Sequence, residues 1–178
     1  MAQNMILTGI ERTFDPLEII VSKTDAKGRI TYANDMFYKM ADYTADECLG
    51  QPHSMVRHPD MPRCIFKLLW DTVAKGHEIF TYVVNRSKNG DHYWVMAHVS
   101  PTMDDNTNTI VGYHSSRRVP SRAAIAKIVP LYAQLKAEEA RHSDRKAGLE
   151  ASAEMLNKIL KDANLSYDQF VFSIINSD

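Results

Sequence analysis

The sequence predicts an α+β domain in which helices lie against one face of an antiparallel sheet. Three observations carry that prediction. Two β-rich runs joined by a turn come first, a cluster of capped helical segments follows, and three further strands form a meander. Strands that succeed one another through short turns pair antiparallel, because a parallel pair needs a long crossover.

Residues 1–14 mix polar and apolar side chains without periodicity and read as a lead-in arm. Ile19–Lys23 is rich in β-branched residues and ends at Asp25-Ala26-Lys27-Gly28, a turn that joins it to Arg29–Ala33 as a hairpin. Asn34 stands where an N-cap belongs, before Asp35–Met40. Thr44-Ala45-Asp46-Glu47 is a capping-box pattern, and Gly50 closes the short helix that it opens. Pro62 then starts a helix over Arg63–Lys75, whose Ile65, Leu68, Leu69 and Val73 keep helical spacing up to Gly76.

Ile79–Arg86 runs into Lys88-Asn89-Gly90, a strong hairpin turn. His92–Pro101 is the next strand, and Asp104–Asn108 turns the chain into Thr109–Val119. Alternation puts Ile79, Thr81, Val83 and Asn85 on one face, and Tyr93, Val95, Ala97 and Val99 on one face of the next strand. These rows suit a wall beneath helices. Asn85 is the polar exception, either a strand-end residue bonding the turn or a ligand contact. Trp94, Met96 and His98 fall on the opposite face and are too apolar to be left wet. The N-terminal arm, the C-terminal segment or a second subunit is expected to cover them. His92 and His98 have no cysteine or carboxylate at metal-ligating spacing.

Beyond Pro120 the composition changes. Ser121 caps Arg122 onward, and Ile125, Ile128, Val129, Tyr132 and Leu135 keep helical spacing across Pro130, which kinks the segment or starts a new helix. Residues 136–150 read as a mostly solvated helical face. Leu149, Met155, Leu156, Ile159 and Leu160 form an amphipathic helix ending near Asn164, and Phe170–Ile175 is a terminal apolar patch. The expected plan is an arm (1–14), a core domain (15–120) and a helical extension (121–178).

With 178 residues, 44% hydrophobic and 24% charged, the chain fits one domain of ordinary size, or one domain and an extension. A net charge of −1 points to neither nucleic acid nor an anionic membrane as partner. No apolar run reaches the roughly 18 residues that span a bilayer, and Met1–Arg12 lacks a basic-then-apolar leader. Cys48 and Cys64 form no paired motif, so cytoplasmic residence with free thiols is the default expectation.

The chemistry concentrates in Gln51–Pro62, where three prolines stiffen a segment bearing Arg57, His58 and Asp60. Such a segment suits a pocket rim that grips an anionic or polar group; composition alone favours a Pro-rich surface turn with scattered charge. Arg57 offers a planar fork, His58 donates or accepts by tautomer, and Asp60 either accepts from a ligand or caps the helix at Pro62. Phe66 and Trp70 share a helix face. No nucleophile elbow, phosphate loop or metal-ligand cluster appears, so binding without turnover is expected rather than an enzyme.

Ile30-Thr31-Tyr32-Ala33-Asn34, Tyr43-Thr44 and Gly50-Gln51-Pro52-His53, in this order of elements, resemble a PAS domain. More narrowly, Val56–Pro62 and Asn85–Trp94 resemble the PAS domain of bacterial aerotaxis receptors and of stand-alone energy-taxis partners. The resemblance implies a five-stranded antiparallel sheet of order 2-1-5-4-3 with helices across one face. It also implies noncovalent FAD as a redox sensor, with Arg57, His58 and Asp60 as flavin contacts and Asn34, Phe66 and Asn85 as nearby pocket positions. Tyr93 is expected in the pocket wall with Thr81, Val83, Val95 and Ala97. One departure stands out: the family's flavin-stacking tryptophan falls at Ile79, which removes about 1 kcal/mol of stacking. A haem-filled or cofactor-free docking module is the alternative. Arg63-Cys64-Ile65-Phe66 lacks the context of the light-adduct class. The absence of a methyl-accepting region, HAMP-like segment or anchor implies action in trans on a chemoreceptor, as a homodimer through the arm or the extension.

Overall fold

The computed structural model describes residues 6–175. Its first hairpin joins β1 (Ile20–Asp25) to β2 (Ile30–Ala33). Asp25 builds the turn, its carboxylate accepting from the N–H groups of Lys27 and Arg29 at 2.9 and 2.8 Å. Gly28 takes the left-handed φ of +76° that the turn requires. Asn34 caps α1 (Asp35–Ala41), and Thr44 with Glu47 completes the capping box of α2 (Ala45–Cys48). A 3₁₀ turn over His53–Val56 leads to α3 (Arg63–Val73).

The meander follows as β3 (Ile79–Arg86), β4 (His92–Met103) and β5 (Ile110–Arg118). All neighbours pair antiparallel in the order β2-β1-β5-β4-β3, as the family resemblance implied. β5 is central, with Ser115 opposite both Ser22 and Val99, and Arg117 opposite both Ile20 and Ala97. Helices α1–α3 close over this inner face on Ile20, Phe37, Ile65, Tyr93 and Val95, all fully buried.

The extension forms α4 (Arg122–Ala140), α5 (Arg145–Asp162) and α6 (Tyr167–Ile175). α4 runs unbroken through Pro130, because Ala124 and Ile128 before it and Tyr132 and Leu135 after it are all buried and pin both halves. Of the three expected covers for the outer face, the C-terminal segment is the main one. The Tyr132 ring lies 6.0 Å from Trp94, and Phe172 lies 5.1 Å from Phe80. The Tyr132 hydroxyl also donates to the Tyr82 carbonyl at 2.6 Å, and Thr81 shares a 2.6 Å bond with Tyr167. Edge strand β3 is thereby blocked from pairing with other chains. The arm lies along the start of β4, where the His92 N–H donates to Ile10 and the Arg12 N–H to His92. Gly90, at φ +96°, is needed there, since a Cβ would meet the Ile6 carbonyl at 2.1 Å.

One tie reverses an expectation for the helix at Pro62. Pro62 occupies the N-cap position of α3 with no side-chain bond, and Asp60 does not cap it. The carboxylate of Glu139, from α4, accepts from the N–H groups of Arg63 and Cys64 instead. Glu139 falls in the stretch expected to be solvated, yet it is 5% exposed. Among the described residues no helix is long and apolar enough to cross a membrane.

Candidate functional site

A cavity of about 100 Å³ lies between α3, the 3₁₀ turn and the inner face of the sheet. That is several times the space one water molecule needs. Three layers build it. From α3, Phe66, Leu69 and Trp70 recur at helical spacing and form one wall. From β3 and β4, Val83, Ala97 and Val99 form an apolar wall ended by Asn85. From β1 and β5, Ser22, Thr24, Tyr113, Ser115 and Arg117 form a polar floor, each two residues from the next on its strand. Trp70, 39% exposed, meets Tyr113 edge-on at 5.2 Å at the cavity's outer end.

The floor is cationic. Arg117 is buried and donates from one Nη to the Ser22 hydroxyl at 2.8 Å and to His53 Nε2 at 2.7 Å. An arginine can only donate, so His53 Nε2 accepts and the imidazole is neutral. Burial, reinforced by the charge of Arg117, pushes the His53 pKa down to about 3. Burial likewise lowers Arg117 to about 10, which leaves it charged at neutral pH. No carboxylate lines the cavity among the described residues. Six buried side-chain polar atoms among those residues lack a hydrogen-bond partner, and four of them belong to cavity residues: Thr24 Oγ1, Arg57 Nε, Ser115 Oγ and Arg117 Nη1. A buried polar group without a partner costs about 1–3 kcal/mol, so four of them on residues lining one cavity mark it as a candidate place for a polar ligand.

The structure brings three of the sequence-derived candidates to this cavity. Arg57 lines it with its guanidinium stacked 3.5 Å from the Phe66 centroid, and Phe66 and Asn85 line it as well. The other five stand elsewhere. Arg57 pairs by an antiparallel bridge with Asn85, so Arg57 shares the inner face and the next residue turns outward. His58 accordingly packs 5.7 Å from His92 on the other side, its Nδ1 accepting from the Asp60 N–H. The Asp60 side chain is 78% exposed and 3.7 Å from His58. Asn34 has its amide engaged with Ile19, Val21 and Phe37, fastening α1 to β1. Ile79 is buried at the far end of β3, and Tyr93 is buried opposite Asn85, both outside the lining. Of the wall expected on β3 and β4, Val83 and Ala97 line the cavity, whereas Thr81, Tyr93 and Val95 do not.

Sequence reasoning missed the floor. Its signal was present: Ser22-x-Thr24 and Tyr113-x-Ser115-x-Arg117 place polar side chains at alternate, same-face positions of two adjacent strands.

The PAS fold family matches residues 30–116. Over 118 residues, 66% of this chain, the sequence is 46% identical to the aerotaxis receptor of Escherichia coli (strain K12). The chain contains a PAS domain of the aerotaxis-receptor type. The match spans 23% of the receptor's length. The nitrogen fixation regulatory protein of Klebsiella pneumoniae is 27% identical over 86 residues, 48% of this chain and 17% of its own. Among solved structures, the dark state of the blue-light photoreceptor Aureochrome1 LOV aligns with a TM-score of 0.55 at 23% identity. It covers 66% of this chain and 86% of its own, and it supports the fold alone.

Cys64, in this PAS domain, does not line the cavity. It is buried with its thiol toward Ser152 of α5, and burial pushes its pKa up.

Proposed function

We propose that this PAS domain holds FAD noncovalently in the cavity and acts as a cytoplasmic redox sensor. In this reading it signals by protein contact to a chemoreceptor-type transducer. The observation that carries the proposal is that four buried polar atoms without partners belong to residues lining one carboxylate-free cavity, between an apolar wall and a polar floor. An isoalloxazine ring has the matching character, an apolar fused plane edged by carbonyl oxygens and ring nitrogens. When bound, a flavin supplies reversible electron transfer with accompanying proton uptake. Arg57 and Arg117 would hold its electron-rich edge, and the amide of Asn85, beside Arg57, would donate or accept as that edge changes protonation. Val83, Ala97 and Leu69 would exclude water from the ring. His58 would act behind Arg57 rather than on the ring.

The similarity to the aerotaxis receptor supports the class of signal and of partner. Binding without turnover is expected. With the extension folded on the sheet, the exposed Ile6 and Ile10 of the arm offer the better surface for a second copy. The deciding experiment is the absorption spectrum of the purified chain. Flavin bands in the near-ultraviolet and blue support the reading, and a protein that stays colourless after FAD is offered refutes it. Sustained NAD(P)H oxidation by the loaded protein would place it among flavoenzymes instead.

A further inference from the structure

We propose that Glu139 couples the cavity to the helical extension, so that ligand occupancy and docking of α4 and α5 influence each other through α3. Three elements meet at this one buried carboxylate. Oε1 accepts from the Arg63 N–H at 2.6 Å and the Cys64 N–H at 3.2 Å, at the first turn of α3. Oε2 accepts from Arg63 Nε at 2.9 Å, and the Ser152 hydroxyl of α5 donates to Oε1 at 3.2 Å. Arg63 also donates to the Arg145 carbonyl at the start of α5, at 2.8 Å. Gly148 lets α5 come this close, since a Cβ there would meet the Glu139 carbonyl oxygen at 2.6 Å.

The dependence of α3 on this contact is built into its sequence. Its N-cap is a proline without a side-chain bond, and its first turn holds no acidic residue. A helix needs acceptors for its first N–H groups, and here the extension supplies them. The same helix carries Phe66, Leu69 and Trp70 into the cavity. Glu139 is also felt at the rim: burial lowers the pKa of Arg57, and the Glu139 charge opposes that shift in part. An 11-residue helix shifts as a body, so a ligand pressing on Phe66 and Leu69 displaces the first turn against Glu139. Thermodynamic linkage makes the effect reciprocal.

The proposal rests on the FAD reading only for its probe. Hydrogen exchange of the full chain is measured with and without FAD, and FAD affinity is titrated in the wild type, Glu139→Gln and Glu139→Ala. FAD is expected to change the exchange of α5 amides, and Glu139→Ala to abolish that response and change FAD affinity by about fivefold or more. Glu139→Gln, which keeps an acceptor but loses the charge, should fall between. Gly148→Ala presses α5 off the carboxylate without removing it and reproduces the effect if Glu139→Ala does not fold. Protection of the cavity amides with α5 unchanged overturns the coupling, as does loosened α5 with wild-type FAD affinity. If FAD binds nowhere, the cofactor reading fails separately. The coupling is then tested in a Trp94→Phe background, where Trp70 on α3 is the sole tryptophan and is excited selectively over tyrosine. Glu139→Ala must shift its emission, and an unshifted spectrum overturns the coupling.

Discussion

The Arg57 guanidinium lies 3.5 Å from the centroid of the Phe66 ring, joining the Pro-rich segment to α3 across the edge of the cavity. A cation over an aromatic face contributes about 0.5–2 kcal/mol, and the planar guanidinium leaves Nε free to meet a ligand. Arg57→Ala should therefore lower the flavin-to-protein ratio at least tenfold with a shift in urea midpoint corresponding to about 1–2 kcal/mol. Arg57→Lys should not restore retention, since an ammonium neither stacks nor forks. Full flavin retention in either variant would remove Arg57 from the site.

His53 accepts from Arg117 and is held neutral, which makes stability depend on acid. Its folded pKa, about 3, lies below the unfolded value near 6.5. Between these values the unfolded chain binds the extra proton, so this contribution is complete above about pH 6.5 and is lost as pH falls toward 3. The slope from one such group is at most about 1.4 kcal/mol per pH unit. Urea unfolding of wild type and His53→Gln between about pH 7 and about pH 4 should show the flatter dependence in the variant. Parallel curves would mean that His53 protonates freely in the fold.

Tyr132 places its hydroxyl 2.6 Å from the Tyr82 carbonyl on the edge strand. Tyr132→Phe keeps the packing against Trp94 and leaves that carbonyl without this donor. A loss of about 1–3 kcal/mol in unfolding free energy is expected, with the denaturant slope unchanged. An unchanged midpoint would show that the carbonyl finds another donor.

Cys64 faces α5, so blue light should form no cysteine adduct with a bound flavin. Illumination of the loaded protein is expected to leave its blue absorption without reversible bleaching. Reversible bleaching that disappears in Cys64→Ala would contradict this placement.

Contacts within a few residues were legible in the chain alone. The Asn34 cap, the Thr44–Glu47 capping box and the Asp25 turn each close over two to four residues, and local chemistry is enough to specify them. Strand periodicity placed Val83, Asn85, Ala97 and Val99 on one wall, because neighbouring side chains on a strand must alternate. The family resemblance added the strand order and directed attention to Arg57, Phe66 and Asn85.

Tertiary structure alone decided the rest. A single bridge from Arg57 to Asn85 sets which of two adjacent residues faces the cavity, and it turns His58 away. Arg117 reaches His53 and Ser22 only because β5 is inserted beside β1, which places residues 64 and 95 positions apart within one hydrogen-bond network. Glu139 caps a helix 76 residues earlier in the chain. Side chains so distant in sequence leave no local pattern, and their roles exist only once the sheet and the extension have folded together. By itself the sequence determined the elements and a PAS-type pocket rim; the fold supplied the cationic floor and the carboxylate that joins α3 to the extension.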